Sequence, residues 1–194
     1  ITLKKIYKKI INLPMKTLSL FAGCGGMDIG AEWAGAKVVW ANENNKYACE
    51  TYRNYFKETK LLEKSIEDLD FDNELPKKGH IDIVLGGFPC QDFSIIWKRP
   101  GLHGTRGNLY TYFVEVIQKL KPKAFIAENV KGLVSANNKK AISQIQNDFE
   151  ACDYTLKTKV YNFAEYGVPQ MRERVLIVGI HKDFDIQYEP PTTY

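Results

Sequence analysis

Thr17-Leu-Ser-Leu-Phe-Ala-Gly-Cys-Gly-Gly-Met27 is the stretch on which the fold turns. Thr17 to Phe21 is a short, mostly apolar run and reads as a strand. Gly23, Gly25 and Gly26 then let the backbone turn tightly and approach a ligand closely. A helix is expected from about Asp28 to Ala34, and a second strand over Lys37 to Ala41. Glu43 follows that strand, where folds of the dinucleotide-binding type keep an acid for ribose hydroxyls. The Gly-x-Gly-Gly pattern lacks the third glycine of the nicotinamide fingerprint, which argues against a hydride-transfer enzyme. Taken alone, the turn reads equally well as a helix cap beside a solvated Glu43.

The alternation continues outward from this unit. The pattern predicts a helix over Lys46 to Phe56, a short strand near Ser65–Ile66 and a strand over Ile81 to Leu85. It then predicts a helix over Leu109 to Leu120 capped by Asn108, a strand over Ala124 to Glu128 and a helix over Lys139 to Phe149. Tyr154 to Tyr161 and Arg174 to Ile180 read as a closing pair of strands. Strands alternating with helices imply an α/β class with a doubly wound, mainly parallel sheet. Residues 1–15 read as a basic N-terminal extension, with Leu3, Ile6 and Ile10 at helical spacing and Lys4, Lys5, Lys8 and Lys9 on one side. Residues 16–188 are expected to be one domain, and Pro190-Pro191 within 189–194 to open a boundary.

The 194 residues are 44% hydrophobic and 26% charged, ordinary values for a globular protein. A net charge of +4 permits a polyanionic partner without requiring one. Four cysteines without a Cys-x-x-Cys pair, and three histidines, suggest neither a disulfide framework nor a metal site. No apolar run reaches membrane-spanning length and no secretory signal is visible, so a reducing, cytoplasmic location is expected.

Chemistry concentrates in Asp82-Ile-Val-Leu-Gly-Gly-Phe-Pro-Cys-Gln-Asp-Phe-Ser94. A strand there ends at two glycines, and Pro89 fixes the backbone just before Cys90. That places a thiol at the carboxyl end of a strand, where open α/β sheets hold their ligand crevices. The bland alternative is a small apolar residue filling a gap. Glu128 ends an apolar strand, suited to a carboxyl held protonated by desolvation, or else to a capping or ion-paired carboxylate. Arg172 and Arg174 lie two apart, so on a strand both point to one face, with Glu173 opposite. A salt-bridged sheet edge would explain that arrangement equally well.

With Phe21–Gly26, Glu43, Phe88-Pro-Cys-Gln91, Glu128-Asn-Val130 and Gln170-Met-Arg-Glu-Arg174 in this order, the chain resembles the DNA (cytosine-5)-methyltransferases from about Lys16 to His181. The resemblance implies a Rossmann-like S-adenosylmethionine-dependent methyltransferase fold, with S-adenosylhomocysteine as the released product. It assigns the cofactor to Phe21, Ala22, Gly23, Cys24, Gly25, Gly26, Glu43, Asn44, Ser65, Ile66, Pro89 and Leu109. It makes Cys90 the nucleophile, Glu128 the proton source at the base, Arg174 the ligand of the base carbonyl and Arg172 its support. Gln91, Ser94, Lys98, Arg99 and Arg106 fall in a loop expected to close over DNA, with Gly101, Gly104 and Gly107 permitting the motion. Two positions depart from the family pattern: Asn44 stands where an aromatic or bulky residue is common, and Lys64-Ser65-Ile66 where Gly-Asp-Ile is common. Both predict weaker cofactor affinity with the cofactor unchanged.

The family continues into a target-recognition region and a last conserved segment that are not found here. The chain is therefore expected to be truncated, or one half of a split enzyme completed by a second polypeptide, with duplex DNA as partner and neither metal nor membrane. The family also implies a prokaryotic, nucleoid-associated setting and restriction–modification. Two alternatives stay open: a transfer-RNA cytosine methyltransferase, against which Phe93-Ser94-Ile95 replaces that branch's Phe-Thr-Arg, and a non-catalytic cofactor-binding module.

Overall fold

The structure, a computed structural model, describes residues 14–89, 109–135 and 139–191. The expected N-terminal helix, the Asn108 cap and the loop residues Cys90, Gln91, Ser94, Lys98, Arg99 and Arg106 lie outside these.

The strands are β1 (Lys16–Leu20), β2 (Lys37–Glu43), β3 (Lys60–Glu63), β4 (Ile83–Gly86), β5 (Ala124–Val130), β6 (Tyr154–Asn162) and β7 (Glu173–His181). The helices are α1 (Gly26–Trp33), α2 (Lys46–Tyr55), α3 (Leu109–Leu120) and α4 (Lys140–Glu150). Among the described residues the strands form one sheet in the order β3-β2-β1-β4-β5-β7-β6. β1 to β5 pair in parallel, and β7 inserts antiparallel between β5 and β6. The doubly wound, mainly parallel reading holds, and the two closing strands form its antiparallel edge.

The central strands read as short apolar runs because both their faces are covered. Leu18, Leu20, Val38 and Val84 are fully buried. On one face Phe125 meets Phe113, Phe149 and Tyr154 at ring-centroid distances of 5.9, 4.4 and 5.1 Å, the edge and tilted geometries that aromatic quadrupoles favour. On the other face, Asp28 in the first turn of α1 accepts hydrogen bonds from Ser19 Oγ and Tyr52 Oη, both at 2.7 Å. Burial pushes the Asp28 carboxyl upward, and the two hydroxyls oppose that shift.

One strand differs from the sequence expectation. The third strand lies at Lys60–Glu63, while Ser65 caps a 3-10 turn over Ile66–Asp68 by accepting from Glu67 N at 3.4 Å. A serine whose hydroxyl bonds the backbone two residues on favours such a turn over a sheet ladder.

The glycine turn has a packing reason as well as a conformational one. Gly25 has φ 88°, and a Cβ there would lie 2.4 Å from the Phe56 ring and 3.1 Å from Tyr52. Gly25→Ala is therefore expected to lower stability by about 2 kcal/mol or more, from the left-handed backbone and the overpacking together. Urea unfolding of the two proteins measures it.

Candidate active site

The sheet's strand order reverses between β1 and β4, so their carboxyl ends diverge and leave a crevice. A cleft of about 220 Å³ opens there, lined by Phe21, Asn42, Glu43, Asn44, Lys64, Ser65, Ile66, Gly87, Pro89 and Leu109. Seven of the residues expected at a cofactor line it: Phe21, Glu43, Asn44, Ser65, Ile66, Pro89 and Leu109. Of the glycine turn, Ala22 and Gly23 flank the cleft through their bonding, Gly25 packs inward and Cys24 and Gly26 are exposed. Phe21 has φ 54°, a left-handed conformation that costs a non-glycine residue about 1–2 kcal/mol. A hydrogen bond from Ala22 N to Asn42 O at 3.0 Å holds the chain just after it.

Glu43 organises the cleft floor. Its Oε2 accepts from Gly23 N at 2.8 Å, and its Oε1 accepts from Asn44 N at 2.9 Å and Asn45 N at 2.8 Å. One carboxylate thus ties the glycine turn to the start of α2. A carboxylate offers about four lone-pair sites, so three backbone bonds leave capacity for a ligand hydroxyl. Asn42, below it, donates through Nδ2 to Leu62 O at 3.2 Å and Lys64 O at 2.8 Å, which fixes the segment that carries Ser65. Lys64 itself is ion-paired with Glu74 at 2.5 Å. Ser65 does not replace the absent aspartate as a free acceptor, because its hydroxyl caps the 3-10 turn.

The second cluster sits beyond the end of β4. The β4–β5 pairing stops at Gly86–Ala127, while β7 continues to pair with β5 through Val130. Glu128 is therefore past the parallel ladder yet still held on a strand. Its Oε1 accepts from Arg174 Nε at 2.8 Å, with about a fifth of each side chain exposed. The ion-paired alternative read from the sequence is the arrangement seen, with Arg174 as the partner. The buried Phe125 and Ala127 point to the opposite face of β5, and Arg174, paired with Val130, arrives from β7 on the face of Glu128.

Arg174 Nη1 also donates to Glu173 O at 2.8 Å. These two bonds use two of the guanidinium's five N–H donors, leaving three. Arg172 stands one residue before the strand that carries Arg174. β7 begins at Glu173, opposite Asn162, and Arg172 precedes it as an exposed residue whose carbonyl accepts from Phe163 N at 2.9 Å. β6 ends at Asn162, and the chain then enters a 3-10 turn over Phe163–Tyr166.

Gly87 was not among the expected site residues. A Cβ on it would lie 2.9 Å from Glu128 Oε2. Its place beside Gly86, between a strand and Pro89, was the one sequence signal. Gly87→Ala is expected to push the flexible carboxylate aside with little cost to folding. The unfolding midpoint should stay near that of the parent, while a displacement of this size lowers turnover by about 10²-fold. Asn42 and Lys64 were likewise missed, having no signature beyond their neighbours. Among the described residues no group of His, Cys, Asp and Glu could hold a metal ion, and no helix is long and apolar enough to cross a membrane.

Residues 15–193 match the family model described as C-5 cytosine-specific DNA methylase. The type II methyltransferase M.NgoFVII of Neisseria gonorrhoeae is 54% identical over 179 residues, covering 91% of this chain and 47% of its own length. M.HhaI of Haemophilus parahaemolyticus is 37% identical over 173 residues, covering 89% of this chain and 51% of its own. Among solved structures, DNMT2 of Spodoptera frugiperda superposes with a TM-score of 0.73 at 25% identity, covering 91% of this chain and 53% of its own. The chain spans about half the length of the curated relatives it matches.

Proposed function

Because the chain belongs to the C-5 cytosine-specific DNA methylase family, we propose that it carries the chemistry of methyl transfer to carbon 5 of cytosine in DNA. S-adenosylmethionine, bound in the cleft, supplies an electrophilic methyl group. The cleft suits it: the Glu43 carboxylate retains capacity for a ribose hydroxyl, and Phe21, Ile66, Pro89 and Leu109 offer apolar surface for a flat ring.

Carbon 5 of cytosine is too electron-poor to take a methyl group directly. The Cys90 thiolate adds to carbon 6, forming an S–C bond and pushing the ring electrons toward carbon 5. Glu128 takes up a proton from solvent as the base enters and donates it to ring nitrogen 3, offsetting the negative charge that develops there. Arg174, steered by the same carboxylate, turns its remaining N–H donors toward the base carbonyl oxygen. After methyl transfer, loss of the carbon 5 proton expels the Cys90 thiolate and restores the aromatic ring. These atoms are inaccessible in a stacked duplex, so the base must be flipped out. Arg172, exposed just before β7, supports the site from its rim.

The observation that supports this reading most directly is the Glu128–Arg174 pair, set against Gly87, which lies three residues before Cys90 along the chain. A labelled-methyl assay offering duplex DNA and transfer RNA side by side tests it. Incorporation into DNA is expected, and incorporation into RNA alone would overturn the assignment of substrate.

A further inference from the structure

Asp28 is a fully buried carboxyl that the proposed methyl transfer does not use. It stands three residues after Gly25, the N-cap of α1, where an acid commonly reaches back to the cap's own N–H. Here Gly25 N donates instead to Ala22 O at 2.9 Å. The Asp28 oxygens turn inward: Oδ1 accepts from Ser19 Oγ of β1 and Oδ2 from Tyr52 Oη of α2, both at 2.7 Å. One carboxylate therefore joins β1, α1 and α2. Packing alone would not require it, since an apolar side chain of similar size avoids the desolvation cost of a buried charge. What the carboxylate adds is two short, directional, charge-assisted bonds.

Both bonds lead to the cleft. Ser19 stands two residues before Phe21, which lines it. The Tyr52 ring lies 3.1 Å from where a Gly25 Cβ would be, and its helix opens at Asn45, directly after the cleft residues Glu43 and Asn44. Glu43 Oε1 holds the Asn44 and Asn45 amides, while its Oε2 reaches across to Gly23 N at 2.8 Å. The glycine turn cannot keep that spacing unaided. Phe21, at φ 54°, persists in the left-handed region only where its surroundings over-determine it. Gly23, at φ 56°, leaves that region as readily as it enters.

We propose that Asp28 is a positioning residue of the cofactor cleft: by holding Ser19 and Tyr52 at once, it fixes the glycine turn against Glu43. The proposal rests on reading the cleft as the site of S-adenosylmethionine. Asp28, buried behind the turn, acts through the Gly23–Glu43 bond.

Two variants separate positioning from support of the fold. Tyr52→Phe keeps the ring beside Gly25 and removes the hydroxyl. That hydroxyl also meets Thr59, so Asp28→Asn, which leaves Tyr52 intact, is the stricter variant. Its amide offers one acceptor to two donors. Because it also removes a buried charge, its unfolding midpoint is expected to stay near the parent's. Amide hydrogen exchange, read by NMR without cofactor, follows Gly23, Asn44 and Asn45, whose N–H groups all bond Glu43. Exchange at these three is expected to rise about tenfold in both variants, with the β4–β5 amides unchanged. Titration calorimetry with S-adenosylmethionine should show the dissociation constant rising by about the same factor.

Unchanged exchange at the three amides in Asp28→Asn overturns the proposal. An equal rise across β4 and β5 also overturns it, because that pattern marks support of the whole sheet. So does unchanged affinity in both variants when the parent binds the cofactor. A parent that does not bind S-adenosylmethionine overturns the reading of the cleft and this proposal with it. That outcome is told apart from the others because the exchange measurement needs no ligand.

Discussion

Cys90→Ser is expected to abolish covalent capture of DNA containing 5-fluorocytosine while leaving S-adenosylmethionine binding unchanged. In the proposed reaction only a thiolate is nucleophilic enough at neutral pH to add to carbon 6, and a serine hydroxyl there has no comparable ionised population. Methyl transfer should fall by on the order of 10³-fold or more, as it does when a covalent nucleophile is removed. Cofactor binding should survive because the cleft is formed by other residues: Phe21, Glu43, Ser65, Ile66 and Leu109. Calorimetric titration with the cofactor and a denaturing gel of the fluorinated complex measure the two halves separately. An adduct that persisted in the serine variant would place the attacking group elsewhere.

Glu128→Gln should separate chemistry from stability in the same way. The amide keeps the shape but has neither the negative charge that holds Arg174 Nε at 2.8 Å nor a carboxyl proton to share with the base. Loss of general acid–base assistance is worth about 10²–10⁴-fold in rate. The pair is partly solvated, so the effect on unfolding is expected to be about 1 kcal/mol or less. Steady-state kinetics should show the loss in kcat, with KM for the cofactor little changed, because Glu43 and not Glu128 faces the cleft. A variant that lost cofactor affinity and kept its rate would assign Glu128 to the cofactor instead.

Gly25 shows how one residue can be legible for one reason and necessary for a second. The sequence marks it as part of a tight turn after a strand. The structure adds the rings of Tyr52 and Phe56, which arrive from α2 more than twenty-five residues later and leave no room for a Cβ. Local spacing announces the first requirement because the turn is made by neighbouring residues. The second comes from a helix whose position depends on how β2 and β3 pair, and nothing near Gly25 records that.

Ser65 and Arg172 show the converse. The sequence placed Ser65 on a strand and Arg172 on the strand that carries Arg174, whereas Ser65 caps a 3-10 turn and β7 starts one residue after Arg172. A short strand exists only where a neighbour supplies its ladder. β2 pairs with Lys60–Glu63 and goes no further, and β6 is spent at Asn162, opposite Glu173. Residues just beyond those limits turn or become exposed, however strand-like their pattern. For β3, an edge strand, β2 alone decides the length.

The order of elements, the parallel class of the sheet and the crevice at its carboxyl edge were determined by the sequence itself. They follow from hydrophobic period, glycine punctuation and the strand ends at Glu43, Gly86 and Glu128, all of which are local. Only the tertiary structure decided that Glu128 is held by an ion pair with Arg174 and that Gly87 makes room for its carboxylate. Those are distances between strands far apart in the chain, set by where each ladder stops, and a ladder's end is a property of two strands together.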